Sequence, residues 1–162
     1  MTLDNRARLI IGLTFVVAFI LVSLPGPAWL DQFRPDWVAL VLVYWCLATP
    51  ERVGVGTGWL VGLLLDVLYG SLLGQQAFAK TIIAFLTVKL HLRIRAYPRW
   101  QQASTLLLLL FLNQFLVHWL KNLVASAPLQ SAFLSTAIVG MFLWPWIFII
   151  LRRVRRGINY KI

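Results

Sequence analysis

An all-α integral membrane protein, with about six transmembrane helices in one bundle, follows from three features of this 162-residue chain. Its residues are 60% hydrophobic and only 12% charged, whereas a soluble domain is about half apolar and about a quarter charged. The apolar residues gather into six runs bounded by turn formers. The lysines and arginines fall almost wholly on one side of the alternation that those runs create. Disorder, a disulfide-stapled secreted scaffold and an ordinary cytosolic enzyme are thereby excluded. The single cysteine, Cys46, lies inside an apolar run and has no partner for an internal bridge.

The six segments run over 9–24, 36–50, 53–73, 76–92, 102–124 and 132–151, and no connection exceeds 11 residues. That spacing predicts a single transmembrane domain over 1–162 with no soluble domain. Pro25-Gly26-Pro27 ends the first segment, because proline lacks a donor and glycine accepts turn dihedrals. Arg34-Pro35-Asp36 opens the second: Pro35 suits a first helical turn, and Asp36 complements the positive end of the helix dipole. Pro50 closes it, and Gly54, Gly56 and Gly58 are expected to leave the start of the third segment irregular. Pro98 and Pro128 mark the fourth and fifth connections, and Pro145 is expected to kink the sixth segment. The first, second and fourth segments are short for a bilayer that needs about 20 residues, so their ends are expected to shift or the bilayer to thin.

Orientation follows from the positive residues. With a cytoplasmic N-terminus, 12 lysines and arginines fall inside, from Arg6 and Arg8 to Arg152, Arg153, Arg155, Arg156 and Lys161, against three outside: Arg34, Lys80 and Lys121. Both termini are then cytoplasmic, and the net charge of +10 reflects this bias and attraction to membrane lipids, with no nucleic-acid role. The first segment resembles a signal peptide, but no small-x-small site follows it, so it is read as an uncleaved helix. Trp29, Trp37, Trp59, Trp100, Trp119 and Trp146 lie near segment ends, as interfacial anchors do.

Ionisable side chains within apolar segments are costly and are functional candidates. Asp66 is the one acid well inside a segment; Lys80, His118 and Lys121 share its predicted outer half. Gln114, His118 and Lys121 repeat at i, i+4, i+7 on one helix face, with Asn122 beside them. One reading pairs Asp66 with Lys80 or Lys121 and turns the stripe toward the bundle interior or a partner helix. A second lets both lysines snorkel to outer headgroups while Asp66 accepts hydrogen bonds inside the bundle. A ligand or proton site is the third.

Gly58-x-x-x-Gly62, leading to Asp66, and Gly70-x-x-x-Gly74 form a track of small residues that lets helix backbones approach within the chain or against another chain. The Gly54-Val-Gly56-Thr-Gly58 spacing follows no strand and is no nucleotide fingerprint. Catalytic and metal-binding constellations are absent: His91 and His118 are predicted on opposite sides, and neither Ser131 nor Ser135 has a histidine near it in sequence. No cofactor is implied.

Phe33-Arg34-Pro35-Asp36-Trp37, Tyr44-Trp45, Arg52-Val-Gly54-Val-Gly56-Thr-Gly58, Gly62-x-x-x-Asp66, Trp100-Gln101-Gln102 and Leu143-Trp144-Pro145-Trp146-Ile147-Phe148, in this order, resemble the rod shape-determining MreD family of Gram-negative bacteria. The resemblance spans the whole chain. It implies a non-enzymatic, multi-pass inner-membrane scaffold of the cell-wall elongation machinery, which binds MreC and is connected to MreB, RodA and an elongation-specific penicillin-binding transpeptidase. It also implies a fold similar to the substrate-binding membrane subunits of energy-coupling-factor transporters, so a small-molecule-binding transporter subunit is the competing function. The family supplies no catalytic residues. The candidates for a partner interface or a buried polar site are Asp36, Gly58, Gly62, Asp66, Lys80, Gln114, His118 and Lys121.

Overall fold

The computed structural model describes residues 3–126, 128 and 132–159; Ser131 and Lys161 lie outside them. Among the described residues there is no strand. Seven helices follow one another: α1 (Leu3–Ser23), α2 (Ala28–Asp31), α3 (Trp37–Ala48), α4 (Val55–Tyr69), α5 (Gln75–Ala96), α6 (Arg99–Ala125) and α7 (Ala132–Asn159). Six correspond to the expected segments, and α2 is a single turn within the first connection.

Helix α3 is the centre of the bundle. Ten consecutive residues, Val38 to Leu47, are buried, and α1, α5 and α7 all pack on it. Its 12 residues rise about 18 Å, well short of a hydrocarbon core of about 30 Å. A short apolar helix buried on every side needs no lipid-length run, which explains why this segment looked short for a span. Asp36 opens it as the N-cap, its Oδ1 accepting from the Ala39 N–H at 3.0 Å. Pro35 therefore precedes the cap and lies outside the first helical turn. Arg95 closes the other end, donating to the carbonyls of Leu47 at 2.6 Å and Ala48 at 2.8 Å.

Around α3, α5 joins α4 on one side to α6 on the other, and α6 packs on α7, which reaches back to α1. Among the described residues, three helices are long and apolar enough to cross a membrane: Asp4–Ser23, Arg99–Ala125 and Leu134–Gly157. Helix α5 has 22 residues but carries Lys80, Lys89, Arg93 and Arg95. The third segment ends earlier than its hydropathy indicates. Gly70, at φ 61°, terminates α4 at Tyr69, and the Ser71 N–H returns to the Asp66 carbonyl at 3.0 Å, a left-handed helix stop. At its other end α4 is regular from Val55 onward, so the irregular stretch reaches only Gly54. Helix α7 continues through Pro145 and carries the basic run to Asn159 as helix.

Five of the six interfacial tryptophans, Trp29, Trp59, Trp100, Trp119 and Trp146, are exposed, whereas Trp45 and Trp144 are buried in the core. Trp45 donates its indole N–H to Thr14 Oγ1 at 2.8 Å, fastening α1 to α3. At the start of α1, Asp4 bridges Arg8 and Arg52 at 2.9 Å each; pairs this exposed contribute under about 1 kcal/mol.

Candidate functional site: a polar cleft at one end of the bundle

The ends of α1, α4 and α6 and the starts of α3, α5 and α7 surround an open cleft of about 1070 Å³. Beneath it, behind the lining residues Asp36 and Gln76, lies an ion-pair network. Lys80 is fully buried, and its Nζ lies 2.7 Å from Asp36 Oδ2. The same ammonium donates to Asn113 Oδ1 at 3.1 Å and to Gln76 Oε1 at 3.2 Å. Asn113 Nδ2 in turn donates to Asp36 Oδ2 at 3.0 Å. An ammonium has three donors and no acceptor, and all three are used. The reverse Asn113 amide orientation would set its NH2 against the ammonium and its oxygen against the carboxylate. Asp36, Lys80 and Asn113 thus each hold the other two, tying α3, α5 and α6 together.

Lys80 therefore neither pairs with Asp66 nor snorkels to a headgroup, and both sequence expectations are corrected. Its counter-ion lies 44 positions away at a helix start. The physical reason is that a fully enclosed ammonium needs an ionic partner and three acceptors, and the α3 cap supplies a carboxylate oxygen left over from its backbone bond.

Asp66, also fully buried, does a different job. Its Oδ1 accepts from Ser71 Oγ and the Gln76 N–H, both at 2.9 Å. Its Oδ2 accepts from the Gly74 N–H at 2.9 Å and the Ala77 N–H at 3.3 Å. Helix α5 begins after Gly74, whose φ of 105° suits glycine and which has no side chain to cap with. A carboxylate from the neighbouring helix caps α5 instead, satisfying its orphan donors and its dipole. Acceptance of hydrogen bonds within the bundle is thus the reading of Asp66 that the contacts bear out, and its pairing with Lys121 is corrected along with that to Lys80.

The glycines explain how α5 comes so close. A Cβ on Gly62 would overlap the Ala77 backbone, and one on Gly58 would stand 2.8 Å from the Lys80 carbonyl and 2.9 Å from Ala84 Cβ. Gly58 and Gly62 are consumed at the α4–α5 contact inside this chain. Gly70 and Gly74 are not a packing face: a Cβ on either meets nothing within 4 Å, and both serve the turn through their positive φ.

The cleft walls come from the remaining candidates. Gln114 and His118 are half-buried and Lys121 is exposed, all three lining the cleft. His118 Nδ1 donates to the Gln114 carbonyl at 2.9 Å. Asn122 of the same stripe is exposed and does not line the cleft. Arg34, placed by an ion pair to Asp31 at 3.1 Å and a bond to the Leu24 carbonyl, closes the rim between α1 and α3, and Trp37 and Tyr69 add aromatic surface. Asn113 and Gln75, which bonds the Val117 carbonyl at 2.9 Å, were absent from the sequence candidates. A lone amide ending the apolar run 106–112 is the signal that marks Asn113, because it cannot rest in hydrocarbon unbonded. Chemically, the buried charges behind the cleft give it a fixed shape: the Lys80 donors are occupied, the Asp36 and Asp66 carboxylates are hydrogen-bonded, and no group of three His, Cys, Asp or Glu assembles among the described residues.

Over residues 5–154 the chain matches the family described as rod shape-determining protein MreD. It belongs to the MreD family. It is 34% identical over 150 residues to the rod shape-determining protein MreD of Haemophilus influenzae, covering 90% of each chain. No solved structure matches it. MreD membership gives the chain a role in determining rod shape, and with three helices of membrane-crossing length and hydropathy it is a membrane protein.

Proposed function

We propose that this MreD-family chain is a non-enzymatic scaffold of the bacterial inner membrane that binds MreC at the Asp36–Lys80 cleft. Both termini face the cytoplasm and the cleft opens toward the periplasm, in keeping with the distribution of arginines and lysines. Through MreC it is linked to MreB, RodA and an elongation-specific penicillin-binding transpeptidase, and so supports lateral peptidoglycan synthesis.

One observation carries the reading. The charges beneath the cleft are already partnered with one another, which holds the ends of α3, α5 and α6 in place and gives a receptor of fixed shape. An open cleft with aromatic and polar walls suits an inserted protein segment better than an enclosed small molecule, which sites of about 300–1,000 Å³ bury almost completely. Its volume of about 1070 Å³ is nevertheless what keeps the second reading, a ligand-binding transporter subunit, worth testing.

The discriminating experiment is affinity purification from native membranes in mild detergent, with mass-spectrometric identification of everything retained. Recovery of MreC with the elongation synthases supports the scaffold. Recovery of transporter ATPases without wall proteins overturns it.

A further inference from the structure

At the opposite end of the bundle lies a smaller cavity of about 280 Å³, walled by Tyr44, Arg95, Gln102, Phe148, Arg152 and Arg155. Tyr44 is 1% exposed, and its hydroxyl is the one buried side-chain polar atom among the described residues with no hydrogen-bond partner. Buried polar groups in folded proteins are almost always paired, and this bundle satisfies even a fully buried ammonium. The phenol ring cannot swing away to find a partner. It is held edge-on by Trp45 and Phe148, with centroids at 5.3 and 5.6 Å, and tilted against Trp144 at 6.5 Å.

Three guanidinium groups, of Arg95, Arg152 and Arg155, line the cavity with that hydroxyl; Arg155 stands close enough to act on its oxygen as a donor, which leaves the O–H itself with no acceptor. Arg95 is fixed in place by its bonds to the α3 carbonyls, and Gln102 by a bond to the Ile94 carbonyl at 3.0 Å. Arg152 and Arg155 are one helical turn apart on α7 and are exposed. No carboxylate lines the cavity. Convergent arginines with a neutral O–H donor, and no acceptor of opposite charge, are the recognition chemistry of a phosphate group. Apolar Leu47, Ala48 and Phe148 complete the wall. Basic pockets between helices at the membrane surface hold anionic headgroups in this way.

We propose that this cavity is a binding site for the phosphate of an anionic membrane lipid, with Arg95, Arg152 and Arg155 neutralising it and the Tyr44 hydroxyl donating to one of its oxygens. The site is separate from the cleft and stands whatever occupies the cleft.

The test uses the full chain, delipidated and titrated with phosphatidylglycerol, with retained lipid counted by native mass spectrometry. Wild type retains one tightly held lipid. Arg152→Gln with Arg155→Gln lowers that affinity at least tenfold, whereas Arg153→Gln with Arg156→Gln, the same loss of charge away from the cavity, leaves it unchanged. Equal losses in the two double variants overturn the site in favour of general polybasic attraction. Tyr44→Phe weakens retention about tenfold without lowering the melting temperature in neutral phosphatidylcholine nanodiscs. Undiminished retention by Tyr44→Phe removes the hydroxyl from the site and overturns the proposal. Stabilisation by inorganic phosphate in those neutral discs, with no phosphatidylglycerol retained, assigns the cavity to a soluble phosphate and overturns the lipid.

Discussion

Replacing Lys80 with methionine removes the buried ammonium and its three donors from beneath the cleft while keeping most of the side chain's length. Asp36 then keeps the Ala39 and Asn113 donors but loses its counter-ion, in a position where its side chain is only 14% exposed. Removing one partner of a buried ion pair costs about 3–5 kcal/mol, chiefly because the other charge is stranded. Asp36→Asn strands Lys80 instead, at a similar cost, and asparagine still caps α3. The double variant strands neither, so its cost is expected near that of one single variant. The coupling energy is then about 3–5 kcal/mol, obtained from reversible unfolding in mixed micelles of increasing SDS fraction. An ordinary hydrogen bond between membrane helices couples by only about 0.6 kcal/mol, so the two cases are well separated. Costs that add to within about 0.5 kcal/mol would refute the buried pair.

Three further expectations follow from the α4–α5 and α1–α3 contacts. Gly62→Ala drives a methyl into the Ala77 backbone and is expected to cost about 1–3 kcal/mol of overpacking or more, while Gly56→Ala, which meets nothing within 4 Å, stays neutral or gains up to about 1 kcal/mol of helix propensity; the same unfolding assay ranks them. Asp66→Asn replaces one oxygen of a carboxylate that accepts four bonds with an NH2 facing N–H donors, and is expected to cost about 2–4 kcal/mol and to speed amide exchange at Gln76 and Ala77; unchanged exchange there would remove the α5 cap. Thr14→Val leaves the buried Trp45 N–H without its acceptor, for about 1–3 kcal/mol, with a change in the tryptophan emission as α1 loosens.

Hydropathy located six of the seven helices because apolar runs and their proline and glycine breaks are local properties. The helix start at Asp36 was legible for the same reason, since a proline followed by an acid is a local signal. The end of α4 was misplaced because Leu72 and Leu73 continue the apolar run past Gly70, and hydropathy does not register a left-handed glycine. The network was half legible. Asp36, Asp66, Lys80 and the Gln114–Lys121 face were all singled out, but their partnership was assigned by shared leaflet. Asp36 and Lys80 meet because α3 sits at the centre of the bundle, a fact of tertiary order that no window of the sequence contains. Gly58 and Gly62 were likewise identified as a close-approach face, and only the packed bundle shows that α5 occupies it. Thr14 carries no sequence signal, because a threonine hydroxyl in an apolar helix ordinarily bonds its own backbone, and the Tyr44 hydroxyl carries none because its surroundings come from α5, α6 and α7.

The central claim, that the cleft above the Asp36–Lys80 network receives MreC, is tested most directly by site-specific photo-crosslinking in living cells. A photoreactive residue placed at Tyr69 or Lys121, which line the cleft, is compared with one at Leu60 or Trp146, which are exposed apolar positions that do not line it. The account predicts MreC adducts from the two cleft positions and none from the other two. Adducts that form only from Leu60 or Trp146, or cleft adducts that contain no MreC, would contradict it.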